Sequence, residues 1–179
     1  MNNRELRICL AGFGGQGILF AGKVISTAGL IENRELSWLP SYGPEMRGGT
    51  ANCSVCLSDK PIGSPLVLDP NALIALNQPS YDKFIDCVVE GGFAVVDSGL
   101  VQNIHEVSGI NVSAISATKL AEENDIAGLA NIIAVGKLWS LTHFCERDTL
   151  DKAIEACVPA SKQQMIEFNK KALIIGMEA

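Results

Sequence analysis

The sequence predicts an α/β protein: a layered, mostly parallel sheet with flanking helices and some antiparallel additions. Two strand-length apolar runs, LRICLA at 6–11 and FAVVD at 93–97, alternate with segments whose apolar residues recur at helical spacing. The first run opens into a glycine turn, GFGGQG, and then a helix. The middle third is rich in turn residues, which is where antiparallel additions belong. With 179 residues, 47% apolar and 19% charged, the chain buries a sizeable core, expected as one domain over 1–179.

The elements follow in order. Leu6–Ala11 is a continuous apolar run and reads as a buried strand. In ILFAGKVISTAGLI, Ile18, Ala21, Ile25 and Ala28 fall on one helical face. Leu36–Leu39 is a short second strand and Thr50–Leu57 a third, with SYGPEMRGG as the loop between them. SDKPIGSPLVLDP is a connector, with a short strand expected at Leu66–Leu68. Asn71–Leu76 reads as a short helix, and Pro79 is placed to start another over Ser80–Glu90, ended by Gly91-Gly92. Phe93–Asp97 is a buried strand. Ile104–Val107 and Ile110–Ser113 flank Ser108-Gly109 and suggest a hairpin. Helices are expected at Ala117–Glu123, Asn131–Phe144, Thr149–Cys157 and Ser161–Ile175, with Asn131 as an N-cap and Asn169 as a cap for a nearby loop.

The net charge of −6 and the lack of any Lys/Arg cluster argue against nucleic acid and anionic membranes as partners. No apolar stretch reaches the roughly 18 residues of a membrane helix, and no secretory h-region precedes the first strand. A cytoplasmic protein is expected. Its charged residues are sparse against the usual quarter, which hints at a surface covered by a stable partner. The six cysteines are scattered, most of them inside apolar runs, and are expected to be reduced and inert. The lone CxxC of Cys53 and Cys56 sits in a strand, where an offset of three puts the thiols on opposite faces. No metal site is expected, and no spacing supplies the four thiolates of an iron–sulfur cluster. His105 and His143 have no Ser or Cys arranged beside them, so no catalytic residue is assigned.

Two glycine-rich segments carry the site. Gly12, Gly14 and Gly17 match GxGxxG between strand and helix, where free N–H groups favour an anion. The acid that would hold a ribose at the end of the second strand is missing, since that strand runs into Pro40 and Ser41. Gly14, Gly15, Gln16 and Gly17 are the candidate contacts, with the Gln16 amide free for a partner or ligand. SYGPEMRGGT, Ser41–Thr50, follows the second strand and should meet the glycine turn at the C-terminal rim of the sheet. There Arg47 suits phosphate or carboxylate, Glu45 can hold Arg47, and Tyr42 offers a ring or a hydroxyl. A solvated surface turn is the competing account of the same residues.

Taken in order, GFGGQG, AGKVIS, PSYGPEMRGGTANCSV, PIGSP, VVDSGLV, ANIIAVG and FNKKALIIG run through nearly the whole chain. Together they resemble the gamma subunit of 2-oxoacid:ferredoxin oxidoreductases, above all the short standalone form of the 2-oxoglutarate enzyme. SYGPEMRGG is the specific part. The resemblance implies a hetero-oligomer that oxidatively decarboxylates a 2-oxoacid with coenzyme A, giving acyl-CoA, carbon dioxide and reduced ferredoxin. It implies thiamine diphosphate between the alpha and beta subunits, iron–sulfur clusters on other chains and, for gamma, a docking and gating role that extends to coenzyme A. Alpha, beta and delta subunits are then the partners, and in isolation a homodimer can cover the same surface. Two rival accounts remain: a free-standing nucleotide-binding protein that uses GFGGQG, and a scaffold without catalytic contact.

Overall fold

The computed structural model describes residues 5–41, 50–105 and 107–179. Among them, six strands form one sheet. The strands are β1 (Leu6–Phe13), β2 (Glu35–Ser41), β3 (Thr50–Ser58), β4 (Ala72–Ala75), β5 (Phe93–Asp97) and β6 (Asn111–Ile115). The helices are α1 (Ile18–Ile31), α2 (Gln78–Phe84), α3 (Ala117–Glu123), α4 (Ala130–Thr142), α5 (Arg147–Cys157) and α6 (Met165–Glu178). The order across the sheet is β2-β3-β1-β4-β5-β6. β3 runs antiparallel to both β1 and β2, while β1, β4, β5 and β6 are mutually parallel. β3 is therefore the one reversed strand; it lies before the turn-rich middle third where antiparallel additions are expected, and the strands there, β4, β5 and β6, are all parallel.

Continuous apolar runs mark strands covered on both faces. Ile8 and Leu10 of β1, Val55 and Leu57 of β3 and Ile74 of β4 point into a core shared with α1, α3, α4, α5 and α6. Cys9 and Ala11, Leu73 and Ala75, and Ala94 and Val96 point the other way, onto Tyr81 of α2, Ile85 just after it and Val101. α1 lies close on β3 because its facing residues are glycines. A Cβ on Gly22 would come within 2.6 Å of Cys53 Sγ, and one on Gly29 would overlap Leu57. Arg34, buried just beyond α1, bolts this end of the molecule: its Nε donates to Asp59 at 3.0 Å and a guanidinium nitrogen donates to the Phe144 carbonyl at 2.7 Å.

Several expectations need correction. Asn71–Leu76 is not a helix: Ala72–Ala75 is β4, with every residue buried between β1 and β5. Four apolar residues cannot show which period they follow. No hairpin surrounds Ser108-Gly109, because Asn111–Ile115 pairs parallel to β5. The described part of 104–107 is not strand, and Glu106 lies outside the described residues. The segment 66–68 is not strand either, and Leu66 and Leu68 are exposed. Ser80–Glu90 divides into α2 and a 3₁₀ turn, Ile85–Cys87. Asn131 is no N-cap, since α4 begins at Ala130 and the Asn131 amide donates to the Gly17 carbonyl. Asn169 caps no loop, because its Nδ2 donates to Met165 O within α6.

Candidate functional site

β1 and β4 end, and β3 begins, at one rim of the sheet, and the glycine turn stands there. Phe13, the last residue of β1, pairs with Thr50, the first of β3. Ser41, the last of β2, pairs with Asn52. Thr50 therefore stands beside the glycine turn and Ser41 one strand further out at the same rim, while the 42–49 segment that the sequence expects to meet the turn lies outside the described residues. Tyr42, Glu45 and Arg47 lie outside the described residues.

Within the turn, Gly14 and Gly15 are exposed, while Gln16 and Gly17 are half-buried. Gly15 (φ 94°) and Gly17 (φ 72°) both adopt the left-handed conformation that glycine tolerates. Gly17 is the N-cap of α1 and supplies no side-chain cap. Among the described residues, no hydrogen bond engages the N–H of Gly14 or Gly15. Exposed backbone donors at the start of a 14-residue helix suit an anionic or carbonyl group.

The Gln16 amide is not free, contrary to the sequence reading. Its Oε1 accepts the Phe13 N–H at 2.5 Å, and its Nε2 donates to the Leu76 carbonyl at 3.0 Å. Asn77 Nδ2 donates to the same Oε1 at 3.3 Å. Gln16 thus ties the turn to the end of β4, and its side chain is spent on shaping the rim. Sequence reasoning missed Asn77 because it took the preceding residues for a helix. The available signal was Asn directly before Gln-Pro, a helix-start pattern.

At the same rim Asp97 ends β5, 1% exposed. Its carboxylate accepts from the Gly99 N–H at 3.0 Å, the Thr118 N–H at 3.0 Å and the Thr118 hydroxyl at 2.5 Å. Those bonds tie β5 to the start of α3. The histidines lie apart from the turn. His105 meets the edge of the Tyr81 ring, and His143 ends α4 with its ring against Trp139.

Five of the six thiols are buried, Cys87 being the exposed one. Cys53 sits in the α1-side core, while Cys56, three residues on, does not. Burial pushes the Cys9 and Cys53 thiols up to about 12, and burial raises the Cys145 thiol as well. Among the described residues, no group of three or more His, Cys, Asp or Glu converges as metal ligands. No helix among them is long and apolar enough to cross a membrane.

The chain matches the family described as Pyruvate ferredoxin/flavodoxin oxidoreductase over residues 7–179. It is 38% identical to the 2-oxoglutarate synthase subunit KorC of Methanocaldococcus jannaschii, over 95% of this chain and 96% of that protein. It is 37% identical to the ketoisovalerate oxidoreductase subunit VorA of Methanothermobacter thermautotrophicus, over 97% of this chain. The chain spans only 36% of that relative's length. Among solved structures, the gamma subunit of a keto/oxoacid ferredoxin oxidoreductase from Geobacter sulfurreducens superposes with a TM-score of 0.83 at 31% identity, covering 97% of this chain and 96% of that one. The fold is shared too by the 2-oxoglutarate:ferredoxin oxidoreductase of Magnetococcus marinus: TM-score 0.85, 23% identity, 97% of this chain and 30% of that one. This chain belongs to the pyruvate ferredoxin/flavodoxin oxidoreductase family, as a gamma-type subunit.

Proposed function

We propose that the chain is the gamma subunit of a cytoplasmic 2-oxoglutarate:ferredoxin oxidoreductase. The complex would convert 2-oxoglutarate and coenzyme A to succinyl-CoA and carbon dioxide, passing two electrons to ferredoxin. One observation carries the choice of substrate: the match to KorC runs end to end in both chains, 95% of this one and 96% of that one. The match to VorA, at similar identity, supports a branched 2-oxoacid as the second reading. A match to a pyruvate/ketoisovalerate common subunit gamma of Thermococcus litoralis falls to 23% identity.

The whole chain, 1–179, acts as a single gamma-type domain in this reading. Thiamine diphosphate supplies the decarboxylation chemistry and iron–sulfur clusters carry the electrons, both on partner chains. The dispersed cysteines here, five of them buried, give a cluster no four-thiolate cradle. The glycine turn fits an anionic partner group better, since Gly14 and Gly15 offer N–H donors that nothing among the described residues engages. In this reading Gly14, Gly15, Gln16 and Gly17, together with Tyr42, Glu45 and Arg47 from the segment between β2 and β3, make contact with the alpha subunit and coenzyme A. Gln16 contributes by shaping the turn rather than by offering its amide. In isolation, the same residues can pair two copies of the chain.

A tagged copy expressed in its own cells should co-purify with larger thiamine- and cluster-bearing chains whose mixture turns over 2-oxoglutarate. Recovery of the chain alone, with NAD, FAD or FMN bound, would overturn the reading. Activity on 2-oxoisovalerate but not on 2-oxoglutarate would select the second. In the purified complex, Arg47→Ala should raise the KM for coenzyme A or weaken assembly, about tenfold for a lost charge-assisted contact.

A further inference from the structure

Asn77 stands between β4 and α2 and is 1% exposed. It faces two ways. Its Oδ1 accepts the Ser80 N–H at 2.8 Å, the ordinary N-cap bond of α2. Its Nδ2 donates to Gln16 Oε1 at 3.3 Å, and that oxygen holds the Phe13 N–H at 2.5 Å. Phe13 is the residue just before the exposed pair Gly14-Gly15. On the far side of that pair, the Gly17 carbonyl is held by Asn131 Nδ2 at 2.9 Å. Each end of the turn is thus pinned by a side chain, and Asn77 backs the pin at the Phe13 end.

We propose that Asn77 is a positioning residue for this rim: through Gln16 it sets the glycine turn in the shape that meets coenzyme A in the assembled oxidoreductase. The proposal rests on the function read above. A cap for α2 needs only the Oδ1. The donation to Gln16 asks specifically for an amide, with acceptor and donor on one short side chain.

That difference gives the test. Asn77→Asp keeps an acceptor for the Ser80 N–H and puts a negative charge at a helix start, but turns an acceptor towards Gln16 Oε1. Asn77→Ser also caps, but is too short to reach Gln16. Both are measured in the reconstituted complex, with thermal stability and assembly checked first. Positioning predicts that each lowers kcat/KM for coenzyme A about tenfold or more with assembly intact. The N77D loss should shrink relative to wild type as pH falls, since a protonated carboxyl donates again, and N77S should show no such trend. On the isolated chain, amide exchange at Phe13 should quicken in both variants while Ser80 stays protected.

If both variants match wild type in kinetics, Asn77 is only a cap and the proposal falls, whatever Phe13 does. Should N77D not fold, N77S alone decides it. A wild-type chain that enters no thiamine-bearing complex would instead remove the functional reading beneath, a failure visible before any variant is made.

Discussion

Gly17 sits where backbone strain and packing meet. At φ 72°, any side chain costs about 1–2 kcal/mol in that left-handed conformation. A Cβ there would also come within 2.5 Å of Asn131 Nδ2, and small-to-large changes at tight contacts add about 1–3 kcal/mol. Gly15 is left-handed too, but a Cβ on it meets nothing within 4 Å. Gly17→Ala should therefore destabilise by about 2–5 kcal/mol in urea unfolding, and Gly15→Ala by only about 1–2 kcal/mol. Equal losses would show that the Asn131 contact contributes nothing. The need for glycine at 17 was legible in GFGGQG. The job of Gln16 was not, because its partner, the Leu76 carbonyl, is 60 residues away and no local pattern announces it.

At the scale of elements, α4 and α6 lie against each other through glycine. A Cβ on Gly136 would overlap the Leu173 carbonyl, and one on Gly176 would overlap the Ile133 carbonyl. Both collisions are with backbone, which cannot swing aside as a side chain can. Gly136→Ala should cost about 2–3 kcal/mol or more, seen as a fall in Tm. Adding Gly176→Ala should cost less than the sum of the single losses, because either change already parts the same two helices. The helices themselves were legible, since each spans enough residues for a 3.6-residue period to declare itself. β4 was not: four residues buried on both faces carry no alternation, and Asn77 looks like a continuation rather than a cap. β6 was legible as extended chain but not as parallel. Ser108-Gly109 looks like a hairpin turn, and only the pairing of Asn111 with Phe93 shows otherwise.

For the whole molecule, the buried thiols make a pH-dependent prediction. Among the described cysteines, Cys87 is the exposed one. A native sample should take up one alkyl group with a thiol reagent and a denatured sample six, read by mass. The same burial bears on stability. An unfolded thiol ionises near about 8.5. Cys9 and Cys53 in the folded chain hold their protons to about 12. Between those values the folded state binds more protons than the unfolded state, so stability must fall as pH rises. Each such thiol contributes a slope of about 1.4 kcal/mol per pH unit. The urea midpoint should hold steady from pH 6 to 8 and drop steeply towards pH 10. Cys53→Ala should start lower, from the small cavity it leaves, yet fall less steeply over the same range. An identical slope in that variant would mean the Cys53 thiol is not shielded, and that the close seating of Gly22 on it does not keep water out.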